Sequence, residues 1–326
     1  RGFAECLSAG SARRQAAVVW PFQAKLLGEV GRRFVIDTDV GTDVDDLWTL
    51  AMVPGLAGTE LEDATLEAVT MVYGDTELRA RLAATALHRM GVAAPVYRGR
   101  EVPLSGKAVV WGGHEGVGVD GLENAEYSSG DAVDNLVGLA AAAPGTLDVV
   151  AIGPLTNIAS AIQRDPMFAR NVRRLYVMGG EFQIGWPEHN FACDVVATGV
   201  VLASDAPITI VPLDQTLRVA VDEADIERIA AVHPIGPMMA DQARRFWAWL
   251  SSLRAGLPGD RSWAHDPLTL LAAAEPSLFT TTRMSVELAP DATVRGTPDP
   301  SSNIEVVTDL DAEAAHAAFL RCLGCR

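Results

Sequence analysis

The sequence has 326 residues, of which 49% are hydrophobic and 21% are charged. This composition predicts a globular chain with a large core rather than a disordered one. The formal net charge of −16 argues against nucleic acid as a partner, because phosphates are bound by basic surfaces. No apolar run approaches the roughly 18 residues that span a membrane, so we expect no membrane partner either.

The two ends of the chain give weak signals. Residues 1–32 lack the apolar core and cleavage site of a signal peptide, and we expect them to form an N-terminal extension outside a single domain that covers 33–326. The four cysteines are too few and scattered for a disulfide scaffold, which fits a cytoplasmic protein. Cys322 and Cys325 form a C-x-x-C pair in what we expect to be a frayed tail.

From Phe34 onward, short β-branched runs alternate with helical stretches rich in alanine and leucine. This alternation predicts an α/β fold with an open, mostly parallel central sheet flanked by helices. Ligands of such sheets bind beyond the carboxyl ends of the strands. We expect helices at Thr76–Met90 and Thr156–Arg164. The predicted strands are Phe34–Asp37, Leu66–Tyr73, Pro95–Arg98, Leu147–Ile152, Arg174–Met178 and Ile208–Pro212.

An acidic loop follows the first predicted strand, with five aspartates in the ten residues 37–46. Carboxylates packed this closely raise one another's pKa unless a cation neutralises them. Hard oxygen donors favour Ca²⁺ or Mg²⁺ over zinc, so the loop predicts a metal site. The alternative is that Asp45 or Asp46 merely caps the following helix.

Two other motifs compete for the acidic loop. An EF-hand that starts at Asp37 requires Gly and Glu where this chain has Thr42 and Trp48, which excludes that motif. A phosphatase of the haloacid dehalogenase type, with Asp37 as nucleophile, also begins D-x-D, but Gly41 stands where it has Thr or Val. This phosphatase stays open as an alternative, as does a protein that binds calcium or a nucleoside without turnover.

The acidic loop, together with several later motifs in the same order, resembles the signature of the nucleoside hydrolases. The resemblance is to the calcium-dependent, inosine-uridine preferring members, and it implies their Rossmann-like fold and the hydrolysis of ribonucleosides to base and ribose. The motifs are Asp37-Thr38-Asp39-Val40-Gly41, Asp45-Asp46, Val72-Tyr73-Gly74-Asp75, Gly113-His114-Glu115-Gly116, Ile152-Gly153-Pro154-Leu155-Thr156-Asn157-Ile158, Met178-Gly179-Gly180, Glu188-His189-Asn190 with Asp194, and His265-Asp266-Pro267.

This resemblance implies a Ca²⁺ site made by four residues. Asp39 would bind the metal and also orient and deprotonate the attacking water, while Asp46 would be a bidentate ligand. Ile152 would contribute its main-chain carbonyl, and Asp266 would be the last protein ligand. Two ribose hydroxyls and water would complete the coordination, and the family further suggests a homodimer or homotetramer.

The resemblance also implies the residues that hold the nucleoside. Asp45 and Asn190 would bind the ribose, and Glu188 would reach its 5′ hydroxyl. His265 resembles the histidine that assists departure of the base, and His114 matches a second active-site histidine. A carboxylate-lined site also suits the chemistry, because cleavage of an N-glycosidic bond develops positive charge on the sugar.

The chain departs from the usual family pattern at three places. The acidic loop is two residues longer than the common form, which leaves Asp43 close to the metal position. Asp75 stands where many members have an asparagine that contacts the ribose, and we expect it to bind the substrate. Among the tryptophans near the base pocket, Trp263 is expected to touch the base, and at most one of Trp247 and Trp249 should face the site.

Overall fold

The computed structural model describes residues 31–253 and 260–325. Within these ranges, nine strands form a central sheet and two short strands form a separate antiparallel pair. The strands are β1 (Arg33–Thr38), β2 (Thr65–Met71), β3 (Val96–Arg98), β4 (Leu147–Ala151), β5 (Val172–Met178), β6 (Ile208–Val211), β7 (Ala220–Asp222), β8 (Arg261–Trp263), β9 (Phe279–Leu288), β10 (Val294–Pro298) and β11 (Ile304–Leu310).

The central sheet has the order β10-β9-β11-β6-β5-β4-β1-β2-β3. All its neighbours pair in parallel except β9, which runs antiparallel to β10 and to β11. The predicted α/β class is therefore confirmed, and each of the six predicted strands overlaps a strand from β1 to β6. The three strands that extend the sheet at its other edge were not predicted.

Twelve α-helices surround the sheets in the described ranges, and two of them, α2 and α4, have the predicted bounds. The helices are α1 (Asp45–Met52), α2 (Thr76–Met90), α3 (Ala132–Ala142), α4 (Thr156–Arg164), α5 (Phe168–Asn171), α6 (His189–Cys193), α7 (Val195–Leu202), α8 (Leu213–Thr216), α9 (Glu223–Val232), α10 (Gly236–Leu253), α11 (His265–Ala274) and α12 (Ala312–Cys322).

Two apolar cores lie on opposite faces of the central sheet. Alternate residues of a strand point to opposite faces, so Phe34 and Ile36 join the core shared with α1, α2 and α11, whereas Val35 joins the core shared with α3 and α4. Both faces are covered by helices, which is the usual arrangement of a parallel sheet.

The strand order places a crevice beside β1. From β1 the chain proceeds to β2 and β3 on one side, and then returns to build β4, β5 and β6 on the other side. The carboxyl ends of β1 and β4 therefore lie next to each other at the point where the direction of winding reverses. Ligands of open α/β sheets bind at such points, and the acidic loop follows β1 directly.

The structure corrects the predictions for both ends of the domain. Arg32, placed by prediction in the extension, donates from Nε to Asp148 (2.6 Å), so the domain includes it; residues 1–30 of that extension lie outside the described ranges. The C-terminal pair does not form a frayed tail, because Cys322 and Cys325 are both buried as free thiols. Where the chain is described, no helix combines the length and apolar character needed to cross a membrane.

Candidate active site

Three carboxylates from two helix N-termini converge in the crevice. One carboxylate oxygen from each of Asp45, Asp46 and Asp266 lies within 4.8 Å of the other two, and all three side chains are buried. Asp45 and Asp46 begin α1, and Asp266 lies in the first turn of α11. The main-chain N–H of Asp266 donates to Asp45 Oδ2 (3.3 Å), which ties the two helix ends together.

These three carboxylates form a donor set that fits a divalent cation. Burial, and after it the repulsion by neighbouring carboxylates, raises the pKa of Asp45, Asp46 and Asp266 well above its ordinary value. A cation among the three would offset both effects, and oxygen-only donors suit Ca²⁺ or Mg²⁺. The capping alternative does not apply, since Val44 is the N-cap of α1 and no side chain caps that end.

Asp39 lies beside this group rather than within it. Its carboxylate is close to the turn after β4, where a Cβ on Gly153 would lie only 2.7 Å from Asp39 Oδ1, so a glycine is needed for this approach. Burial raises the pKa of Asp39, and the nearby Arg79 opposes the increase. The Nη2 of Arg79 lies 4.0 Å from Asp39 Oδ2.

The predicted ribose ligands on the β4 and β5 side are tightly held by the backbone. The carbonyl oxygen of Ile152 accepts from Asn190 Nδ2 (3.1 Å). The Glu188 carboxylate is the N-cap of α6 and accepts from the N–H groups of Asn190 (2.7 Å) and Phe191 (3.0 Å). Ile152, Glu188 and Asn190 are buried, and these hydrogen bonds fix them near the carboxyl ends of β4 and β5.

His265 is oriented by a hydroxyl group. Its Nδ1 lies 2.6 Å from Oγ1 of Thr216, at the end of α8. The ring also contacts Trp263 on β8, with 6.2 Å between ring centroids. Burial lowers the pKa of His265 to about 4, because a charged imidazolium loses its hydration there.

His114 belongs to a cluster of three rings beside the acidic loop. Its ring centroid lies 5.5 Å from that of Trp249 and 6.3 Å from that of Phe246. Its Nε2 lies 2.8 Å from the carbonyl oxygen of Thr42, which can only accept, so Nε2 carries a proton. Trp247, the other tryptophan of α10 named above, is buried in the hydrophobic core.

Asp75 is not a member of the carboxylate group formed by Asp45, Asp46 and Asp266. Its side chain is exposed, and its carboxylate accepts from the N–H of Leu78 (2.9 Å) as the N-cap of α2. Asp43 lies closer, with Oδ1 accepting from the N–H of Val44 (2.6 Å) and lying 3.4 Å from Ser262 Oγ on β8. Asp43 therefore links the acidic loop to the strand that precedes His265.

Comparison with known proteins identifies the family. The profile of the family described as inosine-uridine preferring nucleoside hydrolase matches residues 34–317. The chain belongs to this family. It is a nucleoside hydrolase.

Relatives and solved structures agree with this assignment. The nucleoside hydrolase is 31% identical over 262 residues to the pyrimidine-specific ribonucleoside hydrolase RihA of Enterobacter, covering 76% of this chain and 80% of that protein. It is 30% identical over 274 residues to an uncharacterised Schizosaccharomyces pombe protein, covering 78% and 84%. Its fold matches that of a plant nucleoside hydrolase, PpNRh1, with a TM-score of 0.79 at 24% identity over 91% of this chain and 100% of that one.

The phosphatase alternative finds no support in this nucleoside hydrolase. Asp37, its proposed nucleophile, is fully buried, and its Oδ2 accepts from Thr70 Oγ1 (2.6 Å) and Asn157 Nδ2 (2.8 Å). Burial raises the pKa of this carboxyl to about 7. Asp37 instead links β1 to β2 and α4 through these hydrogen bonds.

Sequence reasoning missed two residues of the nucleoside hydrolase site, Arg79 and Thr216. Arg79 is almost fully buried on α2, on the same face as Leu82, Ala83 and Ala86. That spacing of three, four and seven residues is the signal of a buried helix face, and an arginine on it could have been recognised. Thr216 has no comparable signal, since it meets His265 only in the folded chain.

Proposed function

We propose that this nucleoside hydrolase releases free ribose from ribonucleosides by a Ca²⁺-dependent reaction, with uridine as the first substrate to test. The observation that carries the proposal is the convergence of Asp45, Asp46 and Asp266 within 4.8 Å, beside Asp39 and His265. Uridine is favoured because the RihA relatives are pyrimidine-specific ribonucleoside hydrolases by name and a further relative is a probable uridine nucleosidase of Arabidopsis thaliana.

The metal would be held by Asp46, Asp266, Asp39 and the carbonyl of Ile152, with Asp45 at the ribose. When bound, Ca²⁺ supplies a positive charge that lowers the pKa of a coordinated water and clamps a diol. The family resemblance assigns Asp45 to ribose, although the structure groups it with Asp46 and Asp266. Asp45 is therefore close enough to bind either the metal or a hydroxyl coordinated to it.

Asp39 is proposed as the base that takes a proton from the attacking water. It is near the surface of the crevice, with 9% of its area exposed, whereas Asp37 is inaccessible. The carboxylates around it also stabilise the positive charge that develops on the ribose ring in the transition state. Glu188 and Asn190 would bind the sugar from the side of β4 and β5.

His265 is proposed to assist departure of the base. The Thr216 hydroxyl has one proton and two acceptors in reach, His265 Nδ1 at 2.6 Å and the carbonyl oxygen of Leu213 at 3.2 Å. The shorter contact favours donation to Nδ1, and the Leu213 carbonyl already accepts from the N–H of Leu217. In this tautomer Nε2 carries the ring proton and can donate a hydrogen bond to the leaving base, which stabilises the negative charge that develops on it.

Aromatic rings beside the acidic loop suit a planar base. Trp263 lies beside His265, and Trp249 lies beside His114. Ring faces of this kind stack on heteroaromatic groups, and we propose Trp263 as a base contact with His114 as a second active-site residue. The proposal also includes a homodimeric or homotetrameric assembly, on the strength of the family resemblance, and a cytoplasmic location, on the strength of the few scattered cysteines.

The test is a reducing-sugar assay on uridine, cytidine, inosine, adenosine and nicotinamide riboside, with and without a chelator. Asp39→Ala should abolish ribose release. Asp291→Ala, an exposed aspartate in the turn between β9 and β10, is the matched control and should leave it unchanged. The absence of ribose release from every nucleoside by the Ca²⁺-loaded wild type would refute the proposal.

A further inference from the structure

Arg79 is a buried arginine directly beneath the acidic loop. Its side chain is 1% exposed, although it lies only four residues after the N-cap of α2. Long charged side chains are almost never fully buried unless they are paired. The contacts of this guanidinium group therefore need an explanation.

The guanidinium group binds main-chain carbonyls from two loops. Nη1 donates to the carbonyl oxygens of Asp39 and Val40 in the acidic loop. Nε donates to the carbonyl oxygen of Tyr73 (2.7 Å) in the loop after β2, and Nη2 lies 3.3 Å from Thr42 Oγ1. A single side chain thus holds the path of the acidic loop from Asp39 to Thr42.

The backbone that Arg79 holds is not one the chain adopts easily. Tyr73 has a φ of 67°, in the left-handed region that side-chain-bearing residues disfavour, and Gly41 has a φ of 125°. Buried carbonyl groups need hydrogen-bond donors. Without the planar guanidinium group, the carbonyls of Asp39, Val40 and Tyr73 would lose the donor that joins the two loops.

The positive charge of Arg79 cannot by itself favour metal binding at the site. At 4.0 Å from Asp39 Oδ2, a fixed positive charge repels a cation that binds the same carboxylate. A role through charge alone would therefore weaken metal binding, and removing the charge would strengthen it. The planar arrangement of donors would instead strengthen metal binding, because it positions Asp39 before the cation binds.

We propose that Arg79 is a positioning residue that shapes the acidic loop for Ca²⁺ through the geometry of its guanidinium donors. Trp111 completes the arrangement, since its ring lies over the guanidinium group with 5.0 Å between Arg79 Cζ and the ring centroid. The inference rests on the proposed Ca²⁺ dependence and adds a residue outside the ligand set.

The experiment compares Arg79→Lys, which keeps the charge and loses the planar donors, with Arg79→Gln, which loses the charge as well. Ca²⁺ affinity of the metal-free proteins is measured by calorimetry, and the Ca²⁺ concentration for half-maximal ribose release from uridine is measured separately. We expect both variants to bind Ca²⁺ at least about tenfold more weakly. Arg81→Gln is the matched control, because Arg81 also donates to main-chain carbonyls, those of Glu123 and Ala125, away from the loop.

Two results would overturn the inference: Ca²⁺ affinity equal to wild type in both variants, or an unchanged affinity in Arg79→Lys with a tighter one in Arg79→Gln. If neither variant folds, Thr42→Val removes one acceptor of the guanidinium group, and unchanged Ca²⁺ affinity there counts against the inference. Wild-type protein that binds Ca²⁺ but releases no ribose would refute the proposed function. The role of Arg79 in Ca²⁺ binding would still be tested by calorimetry in that case.

Discussion

The Oγ1 of Thr216 lies 2.6 Å from the Nδ1 of His265 and connects α8 to the first residue of α11. This hydrogen bond determines which ring nitrogen carries the proton. Thr216 has no charge of its own and lies 49 positions away in the sequence. The role proposed for His265 therefore depends on a neighbour that can be changed without touching the metal ligands.

Replacing Thr216 by valine should lower kcat for uridine without changing Ca²⁺ affinity. A hydrogen bond contributes about 1 kcal/mol, so we expect a decrease of roughly fivefold to tenfold. Thr216→Ser retains the hydroxyl and should restore most of the activity. Steady-state kinetics of both variants test this, and equal losses in the valine and serine variants would show that packing, not the hydroxyl, is what matters.

The role of His265 can be separated from that of the carboxylates by the choice of leaving group. His265→Ala should reduce kcat for uridine by about a hundredfold or more, the usual effect of removing a hydrogen-bond donor that stabilises charge developing in the transition state. The same variant should cleave 4-nitrophenyl riboside nearly as fast as wild type, because nitrophenolate leaves without being protonated. Similar losses on the two substrates would argue that His265 acts on binding or folding instead.

Removal of the metal should lower both activity and stability. A ligand at 100 times its Kd stabilises the folded state by about 2.7 kcal/mol, so chelation should lower the melting temperature of the wild type and abolish ribose release. Asp266→Asn should shift the Ca²⁺ titration to higher concentration by at least about tenfold. Thermal unfolding in EDTA and in added Ca²⁺ measures the first effect; identical melting curves would contradict it.

A pH-dependent contribution to stability is expected far from the site, between α12 and α9. His316 Nε2 lies 2.8 Å from Asp225 Oδ2. The hydrogen bond to Asp225 raises the pKa of His316 above its ordinary 6.5. Burial is the largest single effect and raises the pKa of Asp225, but the hydrogen bond and charge of His316, together with Asp222 and Arg228, outweigh it, so the net shift is downward from 3.8.

Both shifts define the pH window of this pair. The raised His316 pKa gives stability that is full below pH 6.5 and is lost as the pH rises through the folded-state pKa, whereas the lowered Asp225 pKa gives stability present above pH 3.8 and lost as the pH falls. His316→Asn should therefore destabilise most near pH 5.5, by up to about 1 kcal/mol for a partly exposed pair, and least near pH 9. Thermal unfolding at both pH values, with the exposed His88→Asn as control, measures this difference, and a difference independent of pH would exclude it.

Local sequence signals were sufficient for the parallel half of the sheet. The bounds of α2 follow from its N-cap Asp75 and from Gly91, which ends it in the left-handed conformation, and both signals are visible in the sequence. The strands β1 to β6 are short apolar runs bounded by polar or glycine-rich residues. The strand β9 gives no such signal, because each of its residues is exposed or only partly buried.

Residues that are adjacent or periodic in the chain were enough to predict the family, the parallel sheet and the acidic loop. Only the folded chain shows that Asp45 joins Asp46 and Asp266. The same is true of the hydrogen bonds from Arg79 to the acidic loop and of the contact between Thr216 and His265. Each of these contacts is a hydrogen bond or a charge interaction that joins residues from different elements. Such contacts form only when the sheet brings the ends of its strands together, so neither composition nor periodicity predicts them.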